Sequence, residues 1–420
     1  MSRRRLTLLA SALAVAWGTA HAPAAPAEDV GSRAWSHVAA LAAGGPRLAG
    51  TAAERRAVEY VAGHLRLAGY HVQVVEFPFP FFQTRQVTFQ VRNPIRADLP
   101  ARVLMYSPPT HGELVAPVVV AGRGLEEDFE RVDARGRVAL VERGGITFLQ
   151  KAENAARAGA RAVVVYNHEP GVVVGTLTRP SAIPAVTVSR EDGLRLVDLA
   201  RRGTVVVSLV VDTVLHERTS WNVVASLPGQ QPARVLLGAH VDSVEGSPGA
   251  NDNASGVAAA LEAARLLRTR PPLWSVEVAA FGAEEGGLFG SGAYVQARGE
   301  GISAMLNLDM VGVGTRLLVG NTGPDRRVVD AVLEASRQLG AGVEVRRMGS
   351  SDHVPFERAG VPAAMLHRPG DPNYHTPEDT PDKVRPELVE EAARLAAEAL
   401  RRPVLTSSRP SHVSRPLGRL

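Results

Sequence analysis

The chain has 420 residues and no cysteine, so disulfides, thiol nucleophiles and cysteine-ligated metal sites are excluded, and its length allows a large core without them. Its formal net charge is +4, but Arg3–Arg5 and five arginines in the last twenty residues supply eight positive charges, which leaves the intervening body at about −4. Nucleic-acid binding by a body of this charge has little electrostatic support.

The N-terminus has the pattern of an export signal. Arg3–Arg5 precede an apolar run that ends near Gly18 and is too short for a permanent transmembrane helix, and small residues follow it. We predict a signal peptide over residues 1–27, cleaved after Ala27, and a secreted or periplasmic protein with no membrane attachment after cleavage. The oligomeric state stays open.

The segment 28–100 is predicted to begin a first domain. It contains two helices, Trp35–Ala43 and Ala52–Leu67, and then a strand over Tyr70–Phe77 whose apolar residues alternate. Pro78–Phe82 is interrupted by proline too often for a central strand, so we predict a packed connection there.

The segment 101–215 has a different texture and is predicted to be a smaller inserted α/β domain. Two helical segments, Leu149–Ala160 and Glu191–Arg201, lie among short Val-rich runs. His111 and His168 are isolated in the sequence and are predicted to be surface histidines. The predicted strands are Val118–Val120, Val138–Val141, Ala162–Tyr166, Ala185–Val188 and Thr204–Val211.

The segment 216–402 begins with a β-α-β unit. Val235–Gly238 and Val276–Phe281 have the composition of buried parallel strands, and Ala254–Leu267 between them is an amphipathic helix. In open α/β sheets, functional groups collect at the carboxyl ends of the strands. The titratable residues at these ends are His240, Asp242, Asp252, Glu284 and Glu285.

The α/β pattern continues, with Asp309 directly after the predicted strand Ala304–Leu308 and His375 in a loop after the strand Ala363–His367. We therefore predict a doubly wound, mostly parallel sheet built from 28–100 and 216–402, followed by a disordered tail over 403–420. The other predicted elements are the strands Arg316–Gly320 and Val343–Arg347 and the helices Arg326–Leu339 and Pro386–Leu400.

Each of these acids and histidines alone has an ordinary explanation as an edge residue, a helix cap or an exposed turn. Two histidines and three or four carboxylates at one sheet edge instead suit borderline divalent ions such as zinc. Two adjacent glutamates in a turn can point apart, so that one binds metal while the other acts as a base. Asp242 and Asp379 follow His240 and His375 closely, which is typical of carboxylates that orient a ligating imidazole.

An ordered set of motifs resembles the M28 family of zinc exopeptidases, and three further segments resemble the protease-associated domain, which carries no catalysis. The first set is Gly238–Ser243 (GAHVDS), Pro248–Gly256 (PGANDNASG), Ala283–Gly286 (AEEG), Gly290–Tyr294 (GSGAY), Asn307–Met310 (NLDM), Ser351–His353 (SDH) and Tyr374–Thr380 (YHTPEDT). The second set is Gly136–Gly144 (GRVALVERG), Lys151–Gly159 (KAENAARAG) and Ile183–Val188 (IPAVTV).

The resemblance implies a two-zinc aminopeptidase that acts on peptide substrates. His240 and Asp309 would hold one zinc ion, Glu285 and His375 would hold the other, and Asp252 would bridge the two. Glu284 would be the general base, and the hydroxyl of Tyr374 would stabilise the oxyanion. Asp242 would orient His240.

Several alternatives stay open at this stage: a carboxypeptidase or dipeptidase of the same family, a one-zinc glutaminyl cyclase, and a metal-stabilised binding protein. The crowded acids favour a substrate's cationic amino group over its carboxylate. A carboxypeptidase would need a cation for that carboxylate, for which Arg347 and Arg368 are the candidates. Asp352 and His353 are predicted as pocket wall or substrate contacts, and His367 as structural.

Overall fold

The computed structural model describes residues 29–406, so the predicted signal peptide lies outside the described residues. None of the helices within 29–406 is long and apolar enough to cross a membrane. The helices are α1 Val30–Ala42, α2 Ala52–Leu67, α3 Glu126–Glu130, α4 Phe148–Arg157, α5 Arg190–Arg202, α6 Gly256–Thr269, α7 Phe289–Arg298, α8 Arg327–Leu339, α9 His353–Arg358 and α10 Pro386–Ala399. The strands are β1 His71–Asn93, β2 Ala97–Asp98, β3 Ala101–Val103, β4 Leu114–Val120, β5 Val138–Glu142, β6 Ala162–Tyr166, β7 Ala185–Val188, β8 Val206–Leu227, β9 Gln231–His240, β10 Trp274–Phe281, β11 Ile302–Leu308, β12 Leu317–Gly320, β13 Val343–Val345 and β14 Ala363–His367.

One half of the sheet has the order β13-β12-β14-β11-β9-β10-β8. Its centre is parallel, because β10, β11 and β14 join β9 through parallel pairings, while β12 and β8 run antiparallel to their inner neighbours. The predicted mostly parallel α/β fold is thereby confirmed. β10 lies on one side of β9, and β11, which follows β10 in the chain, lies on the other side. The strand order therefore reverses at β9, and α/β folds place their ligand sites at such a reversal.

The other half has the order β8-β4-β5-β6-β7-β3, with β4 to β7 parallel and β8 and β3 antiparallel at its flanks. It has two apolar clusters of its own. The predicted insertion of a smaller α/β unit is confirmed by this arrangement.

An antiparallel ribbon of β1 and β8 runs along both halves. The prediction that Pro78–Phe82 is a connection is wrong, because this stretch pairs with β8 throughout, Pro78 facing Thr219 and Pro80 facing Glu217. In this stretch β1 pairs only with β8 and is therefore an edge strand. The two prolines are two residues apart, so both can direct the side that lacks an N–H group away from β8. The predicted domain limit at 215/216 falls inside β8.

The core of the first half lies mainly between the sheet and the helices α1, α2, α6, α8 and α10. The other face carries α7 and α9, where Phe281, Tyr294 and Phe356 pack with ring centroids 5.6 to 6.1 Å apart. The prediction of a disordered tail from residue 403 is wrong for its first four residues. Pro403–Thr406 forms a 3-10 turn with Leu405 buried in the core, because this apolar residue fits between the sheet and α8, and residues 407–420 lie outside the described residues.

Candidate metal centre

The predicted ligands meet at the carboxyl ends of three adjacent strands. His240 is the last residue of β9, Asp309 follows β11 by one residue, and Glu285 follows β10 in a tight turn. Asp252 lies in the helical turn Ala250–Ser255 that precedes α6, and His375 lies in the loop after β14.

Asp252 is at the centre of the cluster. Its Oδ1 lies 3.1 Å from Nε2 of His240, and the same nitrogen is 3.5 Å from Oδ1 of Asp309. Oδ2 of Asp252 lies 3.1 Å from Nε2 of His375, and this nitrogen is also 3.2 Å from Oε2 of Glu285. The two oxygens of one carboxylate therefore face two separate sets of ligand atoms, each composed of one imidazole and one further carboxylate.

Unpartnered atoms in the cluster fit a metal. Oε1 of Glu285 and Oδ1 of Asp309 are buried and have no hydrogen-bond donor among the described residues. Nδ1 of His240 lies 3.2 Å from the carbonyl oxygen of Asp242, which leaves Nε2 free to bind a cation. Two imidazoles and three carboxylates are a donor set that zinc accepts.

The electrostatics of the cluster lead to the same conclusion. Burial raises the pKa of Glu284 well above its ordinary range and that of Glu285 to about 7, and neighbouring carboxylates add to both effects. Burial opposes protonation of His375, but Asp252 and Glu285 outweigh it and raise its pKa to about 10. So many buried carboxylates without a cation are unfavourable, and divalent ions would relieve their repulsion.

Asp242 holds the turn that carries both glutamates. Its side chain is fully buried, and its two oxygens accept hydrogen bonds from the backbone N–H groups of Glu284 at 3.1 Å and Glu285 at 3.2 Å. Its Oδ1 is also 3.6 Å from Nδ1 of His240. One carboxylate therefore positions three of the residues that sequence analysis assigned to the site.

Asp379 holds the backbone of the central ligand. Its oxygens accept hydrogen bonds from the N–H groups of Asn251 at 2.7 Å and Asp252 at 3.1 Å. The sequence suggested that Asp379 orients His375, but the hydrogen bonds of its carboxylate go to this other loop. Gly249 enters the loop with φ 64°, and a Cβ there would lie 2.4 Å from the carbonyl oxygen of Asp252, so a larger residue would displace that ligand.

Two supporting residues were given no role from the sequence, although Ser351 belongs to the SDH motif. Ser351 donates a hydrogen bond of 2.6 Å to Oδ2 of Asp309 and accepts one of 2.8 Å from the side-chain amide of Asn307. Arg47 is buried and donates to the carbonyl oxygens of Val241 at 2.8 Å and Gly249 at 2.9 Å. Burial lowers the pKa of Arg47 to about 10, although four nearby carboxylates favour its charged form. It fixes the loop between His240 and Asp252 and adds a positive charge near the acids.

The cluster opens into a cavity of about 1080 Å³. Tyr374 lines this cavity, is half exposed and stacks on His375 with ring centroids 3.7 Å apart. The inserted unit contributes Met105, Thr176 and Thr178 to the wall. Next to them, the hydroxyl of Tyr106 donates a hydrogen bond to the carbonyl oxygen of Gly286, which directly follows the two glutamates. The inserted unit therefore helps to shape the cavity.

Four further residues named from the sequence have mixed outcomes. Asp352 and His353 are fully buried and do not line the cavity. His367, predicted to be structural, lines the cavity, and its Nδ1 lies 3.0 Å from the carbonyl oxygen of Asp309. Arg368, a candidate for binding a substrate carboxylate, is instead buried away from the cavity and paired with Glu391, because the residue after β14 points into the interior.

Known proteins share the sequence pattern as well as the fold. Residues 222–400 match the model of peptidase family M28, and residues 110–196 match the PA domain. Aminopeptidase YwaD of Bacillus subtilis (strain 168) is 34% identical over 395 residues, which are 88% of this chain and 84% of the relative. The chain belongs to peptidase family M28.

Solved structures of similar proteins agree with this membership. An aminopeptidase from Aneurinibacillus sp. strain AM-1 is 33% identical with a TM-score of 0.83, covering 88% of this chain and 93% of that one. BSAP, a zinc aminopeptidase from Bacillus subtilis, is 33% identical with a TM-score of 0.70, covering 88% and 94%. The predictions of an M28 metallo-aminopeptidase type of enzyme and of a PA domain are confirmed by these matches.

Proposed function

We propose that this M28 family member is a secreted aminopeptidase that binds two zinc ions and removes N-terminal residues from peptides. The observation that carries the proposal is the position of Asp252, whose two oxygens face separate ligand sets. His240 and Asp309 would hold one ion, Glu285 and His375 the other, and Asp252 both. When bound, zinc polarises a carbonyl group and lowers the pKa of water.

Glu284 is the proposed general base. It lines the cavity, is nine-tenths buried, and has a carboxylate oxygen within 4.8 Å of ligand atoms of His240 and Asp309, so it lies directly beside one of the proposed ion positions. In the metal-loaded site its carboxylate would accept a proton from the attacking water and then deliver it to the leaving amine. The hydrogen bond from the Glu284 N–H to Asp242 holds the backbone of the turn that carries this carboxylate.

Tyr374 is the proposed donor to the oxyanion. Its hydroxyl is at the cavity wall, and burial raises its pKa, so it stays protonated at neutral pH. A protonated hydroxyl can donate a hydrogen bond to the negative oxygen that develops on the substrate carbonyl. The stacking of its ring on His375, a proposed zinc ligand, holds Tyr374 beside the metal centre.

The N-terminal end of the peptide is the proposed point of attack because the similar proteins YwaD and BSAP are aminopeptidases. The PA domain, proposed to span 101–215 between catalytic segments 28–100 and 216–402, would limit access to the cavity through Met105, Thr176 and Thr178. Export through a signal peptide over 1–27 belongs to the same proposal.

The test compares Glu284→Gln with Glu285→Gln on leucine p-nitroanilide and its N-acetylated form. A positioned base contributes about 10²–10⁴-fold, so Glu284→Gln should lower kcat at least about a hundredfold while zinc content stays at two per chain. Glu285→Gln should lose zinc at one site. Equal zinc content and activity in the two variants would refute their separate roles, and cleavage of the N-acetylated substrate, or release of C-terminal residues from N-blocked peptides, would refute the aminopeptidase assignment.

A further inference from the structure

The cavity carries positive as well as negative side chains. Its acidic residues lie in and around the proposed metal centre, whereas its arginines come from the loop after β13 and from the end of α9. The acids are Asp252, Glu284, Glu285, Asp309 and Asp371, and the arginines are Arg346, Arg347 and Arg358.

Two of the three arginines have no counter-charge. Arg346 forms an ion pair of 3.3 Å with Glu344. The guanidinium groups of Arg347 and Arg358 make no hydrogen bond or ion pair with any residue in 29–406. The neighbouring Glu357 forms no ion pair with Arg358, and its Oε1 accepts hydrogen bonds from the N–H groups of Thr322 and Gly323, each at 2.9 Å.

The acids of the cavity do not supply the missing partner either. Asp371 accepts hydrogen bonds from the N–H of Asn373 and the side chain of Asn251, both at 2.8 Å. The four remaining acids belong to the metal centre, where two divalent ions would balance their four charges. The loaded cavity would therefore be positive on the side of its arginines, and an anionic group of the substrate would be attracted there.

We propose that Arg347 and Arg358 bind a carboxylate of the substrate, so that this enzyme prefers peptides with a negative group close to the bond that is cleaved. The proposal rests on the proposed aminopeptidase function, since the peptide must already be held at the metal centre. A guanidinium matches a carboxylate with two parallel hydrogen bonds, and two arginines in a concave wall favour such a group over a neutral one.

The carboxylate has two possible sources, the side chain of an aspartate or glutamate and the C-terminus of a short peptide. Three substrate pairs that differ only in charge separate them. Glutamate versus glutamine p-nitroanilide tests the N-terminal side chain, and amidated Leu-Glu versus amidated Leu-Gln tests the side chain after the cleaved bond. Free versus amidated Leu-Gly-Gly tests the C-terminus.

The zinc-loaded full chain should cleave the acidic member of at least one pair with a kcat/KM about three- to thirtyfold higher, mainly through a lower KM. This ratio should decrease as salt increases, because both arginines are exposed to solvent. It should fall to about one in Arg347→Gln combined with Arg358→Gln. The matched control is Arg85→Gln, an exposed arginine outside the cavity, which should keep the wild-type ratio.

A ratio near one in all three wild-type pairs would overturn the proposal, as would a preference that is independent of salt or that survives in the double variant. Leucine p-nitroanilide separates this failure from a failure of the proposed function. If leucine p-nitroanilide is cleaved and no pair discriminates, only the carboxylate proposal fails, whereas if it is not cleaved, the aminopeptidase function itself is wrong.

Discussion

Asp242→Asn tests whether one buried carboxylate positions the metal centre. The asparagine has the same shape, but only one of its two terminal groups can accept a hydrogen bond. Of the two bonds now made to Glu284 and Glu285, at 3.1 and 3.2 Å, one is lost, and a buried N–H is left facing an NH₂ group.

The loss can be given a magnitude. A hydrogen bond to a charged group contributes about 1.5–3 kcal/mol, and an unsatisfied buried donor costs about 1–3 kcal/mol. Part of this free energy displaces the turn that carries the glutamates instead of unfolding the protein. Loss of a group that orients metal ligands typically lowers activity or metal affinity by about 10–100-fold. We expect kcat/KM on leucine p-nitroanilide to fall within that range, together with weaker zinc binding.

The matched control is Asp128→Asn in the PA domain. Oδ2 of Asp128 also accepts two backbone N–H groups, those of Arg123 at 2.9 Å and Leu125 at 3.0 Å, but it lies outside the cavity. Because one amide oxygen can replace that single accepting oxygen, Asp128→Asn should keep the wild-type kcat/KM and change the melting temperature little. Wild-type kcat/KM in Asp242→Asn, or an equal loss in both variants, would refute the positioning role.

Two further predictions concern the metal and the packing. Exhaustive chelation should abolish peptide hydrolysis and lower the melting temperature, and added zinc should restore both. A ligand that binds only the folded state stabilises it by about 4 kcal/mol at a concentration a thousand times its Kd. Full activity of the metal-free protein would contradict this prediction. Gly193→Ala in α5 should destabilise by about 1–3 kcal/mol, because its Cβ would lie 2.0 Å from Cβ of Tyr166. A Cβ at Gly63 in α2 would meet no atom within 4 Å, so Gly63→Ala should stabilise the protein by about 0.5–1 kcal/mol. Melting temperatures that shift in the same direction in the two variants would show the packing argument to be wrong.

The parallel centre of the sheet and the meeting of the predicted ligands could be predicted because both follow from short-range patterns. The buried strands β9 and β11 contain the apolar runs Val235–Leu237 and Ala304–Leu306, and the residues at their carboxyl ends share one edge of the sheet whatever the rest of the chain does. His240 and Asp309 could therefore be placed together without knowledge of the intervening loops.

The elements that sequence analysis missed depend on tertiary contacts. α7 contains Gly290 and Gly292, which disfavour a helix, but a Cβ at 290 would lie 2.3 Å from the carbonyl oxygen of Gly282, so close packing requires the glycine. The roles of Arg47 and Ser351 were missed for a similar reason. They are separated from the groups they bind by about two hundred and about forty residues, so an arginine in a loop has no pattern of its own, and the SDH motif around Ser351 does not show which ligand the serine binds.

The shared ribbon of β1 and β8 has a consequence for synthesis of the protein. β1 ends at Asn93 and β8 begins at Val206, so more than one hundred residues must be translated before the first strand can meet its partner. During that interval the Phe-rich edge of β1 is exposed on the nascent chain, where unpaired strand edges are vulnerable to aggregation. The strands of the inserted unit are complete once β8 has emerged, whereas the other half still needs β9 to β14, so the inserted unit can finish folding first, and β1 gains its partner at the same moment.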